Sequence, residues 1–427
     1  MFGSSGIRGV ANKEITPGLA LDFGLAVGSI YAEVAVGHDP RVSSEMIEHA
    51  IVSGLLSAGS KVVKVGMVPT PTLALASRDY DCGIMVTASH NPARYIGMKV
   101  FKGGMSFNTK QQEEIEDLLE KRRFNHAEWE RTGNLGAMDN ALEHHAAAIL
   151  KNTGSSGLKV VVDCGCGAAS VITPYVLKRT GCEVVTLNSQ PDGSFPGREP
   201  EPVEENLDLL KSTVRATGAD LGIAHDGDAD RMMAVDNRGR FISGDKMLAL
   251  FALREAKRAI AVPVDTSKVI DDILGGVKIS RTKVGDVYVA EELCKTGGEF
   301  GGEPSGAWIF PKISLCPDGI YAAARLVEIV EREGELAGLV DSIPEYPVKR
   351  GAFACSDKKK AMAEIMHRLS ELGEINTLDG IRVDTGDGWV LVRPSGTEPK
   401  IRITVESRNR CEELYSEAAG IVGRAVA

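Results

Sequence analysis

The sequence predicts an α/β chain of four domains, three similar mixed α/β domains followed by a smaller α+β domain. Three observations predict it. A short apolar strand that runs into an Asp-containing turn, then a helix and a second strand, occurs around Asp39, again at 158–187, and a third time at 259–282. The stretch 151–157, Lys-Asn-Thr-Gly-Ser-Ser-Gly, has the composition of a linker. Beyond a turn rich in proline at 344–347 the order changes to strand, helix, two strands, a polar loop, a strand and a closing helix. These signals divide the chain into domains at 1–152, 153–252, 253–345 and 346–427.

The first domain opens on a glycine-rich lead-in, Phe2-Gly-Ser-Ser-Gly-Ile-Arg8-Gly-Val10, which permits close backbone approach and carries one guanidinium. A helix at 15–31 and a strand at 33–37 lead to His38-Asp39-Pro40-Arg41. A helix at 43–59 follows, with Ser43 and Ser44 as its expected cap, then a strand at 61–65 and a helix opened by Val68-Pro-Thr-Pro-Thr72. Apolar runs at 83–86 and 98–101 read as strands around a polar loop, and helices are expected at 109–123 and near 141–150. In the second domain the strand at 158–163 turns through Cys164-Gly-Cys-Gly167 into a helix reaching 179 and a strand at 183–187, and another strand covers 220–224. The third has strands at 259–264 and 277–282 about a short helix. The fourth has a helix at 358–372, strands around 381 and 389, and a strand at 400–406.

With 43% hydrophobic and 25% charged residues in 427, the composition is that of a water-soluble protein with material for several cores. A formal charge of −10 without basic runs argues against nucleic acid or an anionic membrane as partner. No apolar run approaches the ~20 residues of a membrane helix. The eight cysteines are scattered without a Cys-x-x-Cys pair, so free thiols in a reducing cytoplasm are expected. The oligomeric state is left open.

Chemistry concentrates in a few loops. In Thr87-Ala-Ser89-His90-Asn-Pro92 the proline stiffens the turn that presents the Ser89 hydroxyl. Ser89 has no Gly-x-Ser-x-Gly elbow, which sets aside that hydrolase arrangement. Asp226-Gly-Asp228-Ala-Asp230-Arg231 places three carboxylates at alternate positions, a set that asks for a hard divalent cation such as Mg²⁺ or Ca²⁺. An EF-hand is excluded, because Arg231 replaces its glycine and Asn237 its bidentate glutamate. Gly165-x-Gly167 lacks the third glycine of a dinucleotide fingerprint, Ser170 standing there, and no P-loop motif occurs. Gly301-Gly-Glu303-Pro-Ser305-Gly306 offers a carboxylate and a hydroxyl suited to sugar hydroxyls. Arg393-Pro-Ser395-Gly396-Thr397-Glu-Pro-Lys400-Ile-Arg402 offers cations, hydroxyls and a glycine turn suited to a phosphate dianion.

The hexapeptide around Ser89 closely resembles the active-site loop of the α-D-phosphohexomutases, which move a phosphoryl group between the 1 and 6 positions of a hexose. Three further segments, Gly6-Ile-Arg8-Gly, the aspartate loop and the Arg393–Arg402 loop, resemble the same family, so the likeness spans positions 6 to 402. It implies that Ser89 is phosphorylated, and that Mg²⁺ is held by Asp226, Asp228, Asp230 and an oxygen of Ser89 or its phosphate. Arg8, Lys99 and Arg231 are the cations expected to complement the transferring charge, with Lys99 or Arg8 assisting proton transfer; His90 is a second candidate base beside Ser89, although the resemblance implies that it supports the loop. Glu303 and Ser305 would select the sugar, while Arg393, Ser395, Gly396, Thr397 and Arg402 clamp the idle phosphate. All four domains would meet at the cleft, each supplying one loop. Many bacterial members have histidine where this chain has Ala307. The loops at 282–286 and 302–306 look most like those of phosphoglucosamine mutases, archaeal ones included. That implies glucosamine 6-phosphate and glucosamine 1-phosphate as the exchanged pair, with glucose and mannose phosphates as alternatives. A phosphosugar-binding protein without catalysis is the rival class, but binding alone needs neither the serine nor the aspartates.

Overall fold

The computed structural model describes residues 3, 6–395 and 399–426. It contains four sheets, and the first three share one plan. In the first, Lys61–Met67, Glu33–His38 and Cys82–Val86 run parallel in that order, and Tyr95–Lys102 returns antiparallel beside Cys82–Val86. The second repeats the order with Glu183–Leu187, Lys159–Asp163, Leu221–His225 and antiparallel Met232–Asp236. The third repeats it with Lys278–Thr282, Ala259–Pro263, Phe300–Gly302 and antiparallel Trp308–Ile309. The hairpin turns joining the last two strands of each plan are therefore equivalent. They are the loops that carry Ser89, the aspartate trio, and Glu303 with Ser305.

The parallel strands are apolar on both faces because helices cover both sides. Val34, Val36, Ile84 and Val86 are fully buried in the first sheet, as are Val160, Val161 and Val162 in the second. The cores of the second and third sheets are continuous through the helices Gly244–Glu255 and Gly319–Glu333. The fourth sheet, Val348–Ala354, Lys400–Ser407, Gly388–Pro394, Ile381–Asp384 and Glu374–Asn376, is antiparallel and keeps a separate core under Lys358–Leu369 and Cys411–Val426.

Several local expectations are corrected. Within the lead-in, Ile7–Val10 forms a strand that no sequence pattern announced, paired antiparallel with Tyr95–Lys102 so that Arg8 faces Gly97. Leu135–Ala137 adds a strand at the opposite edge. Ser43 is the N-cap of Ser44–Ala58 but its side chain caps nothing, and the Ser44 hydroxyl donates instead to buried Asp39 at 2.8 Å. The helix after Gly167 is divided into a 3-10 turn, Ala168–Val171, and Thr173–Thr180, with Pro174 in the first turn of the latter. All eight cysteines are free thiols. No helix among the described residues is long and apolar enough to cross a membrane.

Candidate active site

Ser89 sits in a buried left-handed turn, at φ +52° and 1% exposed. Its backbone N–H donates to Thr87 Oγ1 at 2.8 Å, and Thr87 Oγ1 donates to Asp39 Oδ2 at 2.7 Å. Arg41 holds the rest of the loop. Its guanidinium donates to the carbonyl oxygens of Ser89 (2.7 Å), Asn91 (2.6 Å), Pro92 (2.8 Å) and Tyr95 (3.0 Å), while its Nε is paired with Asp39 at 3.0 Å. This brace, rather than Pro92 alone, makes the turn rigid.

The Ser89 hydroxyl donates to Asp226 Oδ2 at 2.7 Å and lies 3.4 Å from Asp230 Oδ1. Asp226, Asp228 and Asp230 each present a carboxylate oxygen within 4.8 Å of the others, all buried. Ala229, at φ +57°, turns the chain between the second and third. Burial, together with the charges of Asp230 and Asp228, pushes the Asp226 carboxyl well up. Asp228 Oδ2 accepts from Thr70 Oγ1 at 2.5 Å, whereas its buried Oδ1 has no hydrogen-bond partner. Three hard oxygen donors, mutual repulsion and an orphaned acceptor fit a divalent cation.

Cations crowd the same place. Lys99 Nζ lies 2.6 Å from Asp230 and 3.3 Å from Asp228. Burial works against its ammonium, but those two carboxylates outweigh burial and raise its pKa. Burial likewise opposes the Arg231 charge, and Asp230 and Asp226 prevail over it. Arg8 donates to Asn91 Oδ1 at 3.1 Å and keeps a buried Nε without a partner, and burial lowers its pKa. His90 is driven down to about 2 by burial and by Arg231, Arg8 and Lys99, so its imidazole is neutral. Its Nδ1 is 3.4 Å from Ser89 Oγ.

A cavity of about 220 Å³ opens onto this cluster, lined on one side by Arg8, Ser89, Lys99, Asp230 and Arg231. Glu303, Ser305, Asp265 and Asp286 line the other side. Burial, with Asp286 adding to it, lifts Glu303 to about 7, and its Oε1 accepts from the Gly285 N–H at 2.7 Å. The loop of Glu303 and Ser305 is stapled to the aspartate loop. Met232 N–H donates to Gly306 O at 3.0 Å, Arg231 bridges Ala307, and the Trp308 indole donates to Met232 O at 2.7 Å.

The fourth domain differs from expectation, because none of its described residues lines this cavity. Arg393 is turned to an ion pair with Asp379 at 2.8 Å, though its charge still lowers the burial-raised pKa of Asp265 in the cavity wall. Ser395 accepts from Lys358 Nζ through its carbonyl at 2.6 Å, and Arg402 is exposed on the strand Lys400–Ser407. Gly396 and Thr397 lie outside the described residues. Arg41 and Thr70 are site residues that sequence reasoning missed. The only signal for Arg41 was its place in the turn after the strand Glu33–His38.

Three equivalent hairpin turns thus bring a serine, a trio of carboxylates and a polar loop with one carboxylate and one hydroxyl around a single cavity. The family described as phosphoglucomutase/phosphomannomutase matches the chain in all its parts. Alpha/beta/alpha domain I matches residues 1–126, domain II 139–239, domain III 243–346, and the C-terminal domain 352–421. The chain belongs to that family. It is 56% identical to a probable phosphoglucosamine mutase of Methanococcoides burtonii, over 100% of this chain and 99% of that protein. It is 43% identical to a protein of the same description from Pyrococcus furiosus, over 100% of this chain and 98% of the other. A crystal structure of a phosphoglucomutase/phosphomannomutase family protein from Burkholderia thailandensis superposes with a TM-score of 0.88 at 30% identity, covering 100% of this chain and 97% of that one.

Proposed function

We propose that this mutase interconverts glucosamine 6-phosphate and glucosamine 1-phosphate through a phosphorylated Ser89. The observation that supports the relay most directly is the 2.7 Å hydrogen bond from Ser89 Oγ to Asp226 inside the buried aspartate trio. Asp226, Asp228, Asp230 and a Ser89 oxygen would hold Mg²⁺, which when bound supplies charge neutralisation at the transferring group. A sugar hydroxyl oxygen bonds to phosphorus as the bond from phosphorus to Ser89 Oγ breaks, and the proton lost by the sugar ends on Ser89 Oγ. The sugar, now a bisphosphate, turns around and returns its other phosphoryl group to the serine. Arg8, Lys99 and Arg231 face the moving charge, and Lys99 or Arg8 assists the proton transfer. His90 buttresses the loop.

Glu303 and Ser305 hold sugar hydroxyls, and Arg393, Ser395, Gly396, Thr397 and Arg402 hold the phosphate that is not reacting. The glucosamine assignment draws on the full-length relatives named as probable phosphoglucosamine mutases. The reading places the enzyme in a reducing cytoplasm, in keeping with its eight free thiols.

Side-by-side kcat/KM for glucosamine, glucose and mannose 1-phosphates tests the substrate. Glucosamine 1-phosphate should be turned over best, and a higher value for either of the others rejects the amino sugar while leaving the relay standing.

A further inference from the structure

One oxygen atom links Arg393, which the proposed function assigns to the idle phosphate, to the backbone segment that contacts Glu303, which it assigns to the sugar. Asp379 Oδ2 pairs with Arg393 Nη2 at 2.8 Å and accepts from the Val284 backbone N–H at 3.0 Å. The next residue, Gly285, donates its own N–H to Glu303 Oε1 at 2.7 Å. A continuous line of contacts therefore runs from Arg393 through Asp379, Val284 and Gly285 to Glu303.

The surroundings hold that line in register. Val284 packs with Val264 against Trp389 and Leu391, the latter two on the strand that carries Arg393. Gly380 follows Asp379 at φ +83°, and a Cβ there would stand 2.4 Å from Val392 O, so the segment is pressed onto the same strand. Arg382 adds a hydrogen bond to the Val264 carbonyl.

The ion pair is too wet to exist for stability alone, with Arg393 35% and Asp379 21% exposed. It uses one terminal nitrogen of a guanidinium that has five N–H donors, which leaves the others for phosphate oxygens. A carboxylate fixing one corner of an arginine sets the direction in which the rest of its fork points.

We propose that Asp379 is a positioning residue that aims Arg393 at the idle phosphate and, through the same oxygen, fixes the Val284–Gly285 backbone that seats Glu303. This rests on reading Arg393 as part of the phosphate clamp. Engagement of the phosphate and of the sugar would then be coupled across the two domains.

The test is a double-mutant cycle on the full chain with Asp379→Asn and Arg393→Ala, reading kcat and KM for glucosamine 1-phosphate and the inhibition constant of inorganic phosphate. Asp379→Asn should raise KM and the phosphate inhibition constant about five- to tenfold, and kcat should fall less than KM rises. In that background Arg393→Ala should add less than about half of its separate cost in free energy. Asp379→Glu should recover part of the loss. Unchanged melting temperatures, expected for partly exposed residues, separate this from damage to the fold.

Additive effects, or an unchanged KM in Asp379→Asn while Arg393→Ala raises it, overturn the coupling and leave the clamp intact. An unchanged KM in Arg393→Ala removes the clamp and the coupling together. Tighter phosphate binding in Asp379→Asn also overturns the proposal, since the carboxylate would then be a competitor for the guanidinium.

Discussion

The guanidinium of Arg41 donates to the main-chain oxygen of Ser89 at 2.7 Å, from a position where both side chains are almost wholly withdrawn from water. The turn after Glu33–His38 that carries Arg41 thereby sets the backbone of Ser89, while Asp39 balances the charge at 3.0 Å.

Arg41→Ala should therefore damage both fold and rate. It strands buried Asp39 and several carbonyls, and the expected loss in denaturant unfolding of the first domain is about 3–5 kcal/mol. Activity should drop about 100-fold through misplacement of Ser89. Arg41→Lys should recover little, because one ammonium cannot replace a planar fork. Wild-type kcat in either variant would refute the brace.

Ser89→Ala should lower kcat by at least about 1,000-fold while the affinity for sugar phosphate changes less than about threefold. Intact mass spectrometry checks the same point. A phosphate-sized adduct on the wild type should be missing from the variant.

Chelation should reduce turnover by at least about 100-fold, with Mg²⁺ restoring it. Asp228→Asn should resist that restoration. Thr70→Val should weaken metal affinity about tenfold without touching a ligand, because Thr70 Oγ1 orients Asp228 at 2.5 Å. Titration calorimetry reads both, and full activity in metal-free buffer would refute the assignment.

Glu303 makes a pH prediction. Its carboxyl is lifted by burial from 4.5 to about 7, so the folded protein favours the protonated form. That contribution is fully present below 4.5 and is lost as pH rises through about 7. Glu303→Gln should therefore melt with the wild type near pH 4 and above it near pH 8, the gap reaching roughly 3 kcal/mol at most. A wild type more stable than the variant near pH 8 would contradict this.

The loops of Ser89 and of Asp226, Asp228 and Asp230 were legible in the sequence because each packs its chemistry into a few consecutive residues. Arg41 was not, since its acceptors lie 48 to 54 positions away. Thr70 meets Asp228 across 158 positions, a pairing no local pattern announces. The repeated strand order could be glimpsed from three strand-and-turn units, but the short edge strands Ile7–Val10 and Leu135–Ala137 take their conformation from the sheet beside them. Neither Ser43 nor Ser44 caps the helix through its side chain: Ser43 sits at φ −89°, ψ −4°, not in the extended backbone that a capping side chain needs, and the Ser44 hydroxyl is drawn into the buried network of Asp39.

The left-handed backbone at Ser89, φ +52°, costs an L-residue on the order of 1 kcal/mol that glycine would not incur. Ser89→Gly would thus ease the turn while abolishing the proposed relay, so selection for stability and selection for chemistry would pull this position in opposite directions. A descendant relieved of phosphoryl transfer has a one-step route to a calmer fold. The residue found at this turn in a distant copy then tells a working enzyme from a retired one.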